Sequence, residues 1–145
     1  MAIHFEHSLR VPADPGKTFA MLDDVKRTPE WLSRCTSIEK VSAGPNAVGT
    51  KLKYSFKQGR RDGVMDGEIA ARTPGEHIAF HYLDKMFDVT IDFRLSKADT
   101  GTQLTQAIDI APRSLVGRLL SPLIRRVLPK QTVADLEKLR ELLKN

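Results

Sequence analysis

"VPADPGKTFAML", residues 11–22, contains Gly16-Lys17-Thr18, the last three letters of a phosphate-binding loop. Such a loop needs a further glycine five positions before its Gly-Lys pair, where backbone N–H groups turn inward around phosphate with no side chain in the way. Val11 holds that position, and Pro12 after it has no N–H to offer. The cradle therefore does not form. Strand, turn and helix account for every residue: a strand ends at Val11, Asp14 caps a helix, Pro15 takes its first position, and Phe19, Met21 and Leu22 form its apolar side.

Upstream, Ile3, Phe5, His7, Leu9 and Val11 alternate with His4, Glu6, Ser8 and Arg10, the period of a half-buried strand. Downstream, "DDVKRTPEWLSRC" predicts a second short helix with Thr28 as cap, Pro29 at its first position and Trp31 on its buried side. Between Ser37 and Ala111, turn chemistry at "AGPNAVG", "KQGRRDG", "TPGE", "LDK" and "KADTGT" separates six predicted strands, several with clear alternation, such as Phe87, Val89, Ile91, Phe93 and Leu95. Short connections and one wet face predict antiparallel pairing. From residue 113 the spacing turns helical, with Val116, Leu120, Leu123 and Val127 on one face, then Leu136, Leu139 and Leu143. Pro122 and Pro129 each delete a backbone donor, which predicts a segmented helix.

A chain of 145 residues predicts one domain, 1–145, burying roughly 68–70% of its unfolded surface. The residues are 41% hydrophobic and 28% charged, and no apolar run is long enough to span a bilayer. "MAIHFEH" at the start lacks the apolar block of a signal peptide, which predicts a cytoplasmic protein. Cys35 is alone, excluding an internal disulfide and a cysteine-rich zinc site. The net charge of +5 is scattered and only 6% of residues are aromatic, so no basic-aromatic interleaving marks a nucleic-acid surface.

The order strand, two short helices, six strands and a long last helix has one economical solution. It is an α+β helix-grip fold, in which a curved seven-stranded antiparallel sheet wraps the C-terminal helix. The residues "VPADPGKTFAMLDDVKRTPEWLSRCTSIEKV", "VGTKLKY" and "GRLLSPLIRRVL…DLEKLRELL" resemble the START-related polyketide cyclase/dehydrase and lipid-transfer superfamily (SRPBCC) over almost the whole chain. Pro12-Ala13-Asp14 and Pro29-Glu30-Trp31 carry most of that resemblance. It implies an apolar small molecule held between sheet and helix, with some members acting as cyclases or dehydratases. No single catalytic signature unites the family, and no cofactor is implied.

Within that frame the cavity is walled by Leu52, Phe56, Phe80, Val89, Ile91 and Phe93 from the sheet and by Leu120, Leu123 and Ile124 from the helix. By strand parity His7, Tyr54, Tyr82 and Gln106 point inward to orient a ligand's polar atoms, and Trp31 borders the cavity from the short helices. His7 reads either as a buried histidine with a hydrogen-bond partner or as a proton donor, and Tyr54 and Tyr82 either as core or as ligand contacts. His77 and His81, four apart on a strand, lie about 13 Å from each other, too far to share a metal. Asp66, Glu68, Asp88 and Asp92 are carboxylates of the kind used in acid-base work, yet Asp88 and Asp92 fall opposite the apolar row and read as solvated, and "GRRDG" reads as an exposed hairpin tip. The leading expectation is binding or transport of a hydrophobic molecule. The alternatives are a cyclase/dehydratase-type enzyme using His7, Tyr54 or Tyr82, and a module whose Arg118, Arg125, Arg126 and Lys130 meet a membrane surface or a protein partner.

Overall fold

The first strand, β1 (Ile3–Val11), stops where Pro12 removes a ladder donor, in a computed structural model that describes residues 2–144. Asp14 then accepts a 2.7 Å hydrogen bond from the Lys17 N–H and caps α1 (Pro15–Asp23), whose first position is the proline. The carbonyl of Ala13 receives the hydroxyls of Thr102 at 2.8 Å and Thr18 at 3.4 Å. Gly101, at φ 84°, presses the turn before Thr102 onto this corner so closely that a Cβ there would stand 1.9 Å from the Val11 carbonyl oxygen.

The second short helix is a 3₁₀ helix, Val25–Glu30, with Pro29 inside it. Thr28 does not cap it. Its side chain is buried, and its carbonyl accepts the N–H groups of Trp31 and Leu32 that close the helix. Six strands follow: β2 (Cys35–Lys40), β3 (Lys51–Gln58), β4 (Arg61–Thr73), β5 (His77–Leu83), β6 (Phe87–Lys97) and β7 (Thr102–Pro112). They pair antiparallel in the order β1-β7-β6-β5-β4-β3-β2, so each strand lies beside its neighbour in sequence except where β1 meets β7. The ladder slips between Cys35 and Ser37 on β2 and between Ile69 and Ala71 on β4, two bulges that sharpen the sheet's bend.

One face of the sheet is largely apolar. Val11, Leu52, Ile69, Ile78, Phe80, Phe93, Leu104 and Ile108 lie there in a single buried cluster that also takes in Leu128, Leu136, Leu139 and Leu143 of the last helix. On the opposite face imidazoles and carboxylates pair across strands: His4 with Asp109 at 2.6 Å, His77 with Asp92 at 2.7 Å, and His81 with Asp88 at 2.7 Å. Asp88 and Asp92, read as solvated, are thus engaged. Among the described residues no three His, Cys, Asp or Glu side chains gather as a metal site, and no helix is long and apolar enough to cross a membrane.

The last helix, α2 (Leu115–Leu142), is continuous rather than segmented, with Ser114 as its N-cap and both prolines inside. Pro122 and Pro129 leave the carbonyls of Arg118 and Arg125 without their helical donors, and both arginines lie on the exposed side of the helix. The helix also sits in a different rotation from the one its leucines predict. Gly117 and Ser121 face the sheet, because a Cβ at position 117 would already stand 2.5 Å from the Met86 carbonyl oxygen and only small residues fit this contact. Val116 and Leu123 are consequently turned to solvent, and Leu120 and Val127 are half-buried.

Candidate functional site

Two glycines of β4 shape the hollow between sheet and helix. Gly63 pairs with Phe56 and Gly67 with Tyr82, and each aromatic ring lies flat across its glycine: a Cβ would stand 2.5 Å from Phe56 Cζ and 2.4 Å from Tyr82 Cδ1. With the rings laid down in this way, a cavity of ≈80 Å³ opens above them at the end of the sheet where the β3–β4 hairpin, the β5–β6 turn and the start of α2 meet. Tyr54, Phe56, Tyr82, Val89, Ile91 and Ile124 line it, joined by Met65, Phe87, Ile110 and Val127. Tyr54 packs on Tyr82 with ring centroids 4.6 Å apart.

The polar groups collect in the same lining: Arg34, Gln58, Arg61 and Asp84. Arg34 Nε and Gln58 Oε1 are buried with no hydrogen-bond partner among the described residues, a costly arrangement for groups of this kind. Arg61 is not an exposed hairpin tip. Its guanidinium lies 5.2 Å from the Phe56 ring centroid and 5.8 Å from that of Phe87, and its Nη1 donates to the Met86 sulfur at 2.9 Å. Asp84 Oδ1 is taken by the N–H groups of Met86 at 2.8 Å and Phe87 at 2.7 Å, which fixes the β5–β6 turn.

A smaller hollow of ≈10 Å³ lies beyond, sharing Tyr82 and Ile91 with the first and lined also by Trp31, Phe80, Phe93 and Gln106. Trp31 Nε1, a donor, and Gln106 Oε1, an acceptor, are both buried here without partners among the described residues, in a space of about one water molecule. The Trp31 ring meets Phe93 edge-on at 5.9 Å.

The remaining expected residues fall elsewhere. His7 sits on edge strand β1 opposite Gln106, half-buried, outside both hollows and without a hydrogen-bond partner among the described residues. Leu52 is buried core, Leu120 packs half-buried against the core, and Leu123 faces solvent. Arg34, Gln58, Arg61, Met65, Asp84, Phe87, Ile110 and Val127 line the cavity without having been expected there. The signal for the first two was local: Arg34 follows the buried Trp31-Leu32 pair and Gln58 ends an alternating strand, so both polar groups sit where the chain leaves the core.

Burial pushes the Tyr54 and Tyr82 hydroxyls far above their ordinary range, and for Tyr82 the neighbouring Tyr54 adds to the shift. Both remain neutral donors at any physiological pH. Burial also pushes the lone Cys35 thiol up to about 12, which keeps it un-ionised and inert. Behind the cavity, Asp135 of α2 accepts the Ser33 N–H at 3.2 Å, and burial raises its carboxyl against the pull of that bond and of the Arg34 charge.

The sequence matches the family described as polyketide cyclase/dehydrase and lipid transport over residues 2–144. The chain belongs to that family. Its fold agrees with solved structures of low sequence identity, among them the Zhui aromatase/cyclase from Streptomyces sp. R1128, at TM-score 0.83 and 17% identity, covering 99% of this chain and 94% of that one. A START superfamily protein from Mycobacterium smegmatis aligns at TM-score 0.79 and 12% identity over 97% of each chain. Ara h 8.0201 aligns at TM-score 0.73 and 16% identity, over 99% of this chain and 98% of that one. No curated protein matches the sequence significantly. Members of the polyketide cyclase/dehydrase and lipid transport family thus include this chain, whose sheet order β1-β7-β6-β5-β4-β3-β2 around α2 is the helix-grip architecture.

Proposed function

We propose that this protein binds a hydrophobic small molecule bearing oxygen at one end, in the cavity between the sheet and α2. The observation that carries the reading is the lining itself: an aromatic and aliphatic chamber with unpartnered Arg34 Nε and Gln58 Oε1 among its walls. A phenol or other hydroxyl of a bound ring compound satisfies both groups, accepting from Arg34 Nε and donating to Gln58 Oε1, while its apolar body displaces water. Burying about 200 Å² of such a body gains roughly 5 kcal/mol before the costs of association. At ≈80 Å³ the chamber is smaller than the roughly 150 Å³ that holds a benzene ring, so a ring compound enters with outward movement of the walls.

Binding is favoured over acid-base chemistry by what the candidate catalysts do. His7 lies outside the cavity, and the Tyr54 and Tyr82 hydroxyls are pushed away from the range in which a general acid or base works near neutral pH. Aromatase/cyclase activity belongs to a structural neighbour, and the fold alone does not transfer it.

Titration with anilinonaphthalene sulfonate, an apolar dye of three aromatic rings with an anionic sulfonate, tests the proposal. Saturable one-to-one binding is expected, abolished by Ile124→Trp, which fills the chamber, and weakened about tenfold by Arg34→Met, which removes one charge-assisted bond. Dye binding that survives Ile124→Trp unchanged overturns it.

A further inference from the structure

The rotation of α2 that buries Gly117 and Ser121 turns large apolar residues outward. Leu115 and Leu119 are 73% exposed, Leu123 58% and Val116 55%. Leu115, Leu119 and Leu123 follow one another at i, i+4 and i+8, so they form one continuous ridge along the outer face of the helix. This is no frayed end: Ser114 caps the helix, and Gly117 is locked against Met86. Isolated exposed leucines are ordinary, but an ordered ridge of this kind marks a contact surface.

Charge identifies the partner. From residue 113 to residue 134 the chain carries Arg113, Arg118, Arg125, Arg126 and Lys130 and no Asp or Glu. Arg118, Arg125, Arg126 and Lys130 are exposed and hold no ion pair among the described residues. On a helix of 100° per residue, Arg126 and Lys130 continue the leucine face one and two turns further on, while Arg118 and Arg125 flank it. Arg118 and Arg125 also wall a shallow surface groove with Pro112, Ser121 and Pro122. An acidic protein surface would meet the cations but not the two-turn leucine ridge, whereas an anionic bilayer offers both a hydrocarbon layer and phosphates at the boundary.

We propose that the first half of α2 is a docking surface for an anionic lipid bilayer, with Leu115, Leu119 and Leu123 inserted at the headgroup boundary and Arg118, Arg125, Arg126 and Lys130 on the lipid phosphates. The same stretch of helix contributes Ile124 and Val127 to the cavity, so docking brings the helix that walls the chamber onto the membrane. The surface goes beyond the ligand-binding reading and stands without it, since vesicles report it whether or not the chamber is filled.

Co-sedimentation of the whole protein with phosphatidylcholine vesicles, plain or containing phosphatidylglycerol, tests the assignment. Binding is expected only with phosphatidylglycerol, and it falls as salt rises from about 0.05 to 0.5 M. Leu119→Glu/Leu123→Glu weakens it at least about tenfold, and Arg125→Gln/Arg126→Gln weakens it and flattens the salt dependence. Both variants change exposed side chains, and unchanged thermal melting and anilinonaphthalene sulfonate binding confirm that fold and cavity are intact. Three results overturn the proposal: no vesicle binding at low salt, equal binding to neutral vesicles, or a wild-type dimer that Leu119→Glu/Leu123→Glu dissociates without any effect on vesicles. The last outcome assigns the ridge to a second copy of the chain.

Discussion

The ring of Tyr82 covers Gly67, its partner across the β4–β5 ladder, so closely that a Cβ on residue 67 would stand 2.4 Å from the ring's Cδ1. The glycine is therefore what lets the ring lie down and leave the chamber open. Gly67→Ala lifts Tyr82 toward Tyr54, whose ring centroid is already 4.6 Å away, and into the space a ligand would use. The expected result is a loss of dye affinity of at least about tenfold with a stability cost of roughly 1–3 kcal/mol. Calorimetric titration and thermal melting of the same variant separate the two effects.

Tyr54 and Tyr82 are the only tyrosines in the chain, so a spectrophotometric titration of the whole protein reads these two hydroxyls alone. Burial holds both well above the ordinary tyrosine range. The folded value being raised, ionisation of either hydroxyl favours unfolding, and phenolate absorbance is expected to rise only as the protein denatures in alkali. Circular dichroism followed in parallel checks this, and phenolate appearing near pH 10 in the folded protein contradicts it.

At the far end of α1, Asp23 accepts Arg72 Nε at 3.1 Å and Nη2 at 2.8 Å, and Asn46 Nδ2 at 3.1 Å. Burial by itself raises the Asp23 carboxyl, but the bonds from Arg72 and Asn46, with the charges of Arg72 and Lys40, outweigh it and hold the group below its usual value. The folded value being depressed, this stabilisation is complete above the unfolded carboxylate value, about pH 4, and disappears as pH falls through the folded one. Arg72→Ala is expected to cost roughly 1–2 kcal/mol at neutral pH and to shrink the acid-dependent loss. Urea denaturation across the acid range measures both.

Asp135 has the opposite sign. Burial raises its carboxyl, so between the unfolded and folded values the native state binds more protons and stability falls as pH rises. Asp135→Asn keeps an acceptor for the Ser33 N–H and removes the charge. It is expected to flatten that slope and to leave the protein at least as stable as wild type at neutral pH, as urea midpoints will show.

The strand pattern was legible because one face of every strand is dry: the parity of Tyr54, Phe80, Val89 and Gln106 follows from alternation alone, and the corner at residues 11–15 follows from proline and a capping aspartate. The rotation of α2 was not. Its leucines outnumber the positions the sheet can cover, and the contact is set by the small residues Gly117 and Ser121, which carry no hydrophobic signal. Arg61 was misread for a similar reason. A turn-rich string looks solvated, yet the aromatic faces of Phe56 and Phe87 that receive its guanidinium come together only in three dimensions.

The meeting of β1 with β7 also constrains how the chain is made. Nine residues of the first strand find their partners only at residues 102–110, and the apolar face of the sheet stays uncovered until residues 115–142 have been synthesised. A chain that lacks its last helix therefore leaves that greasy surface bare, the state in which aggregation competes with folding.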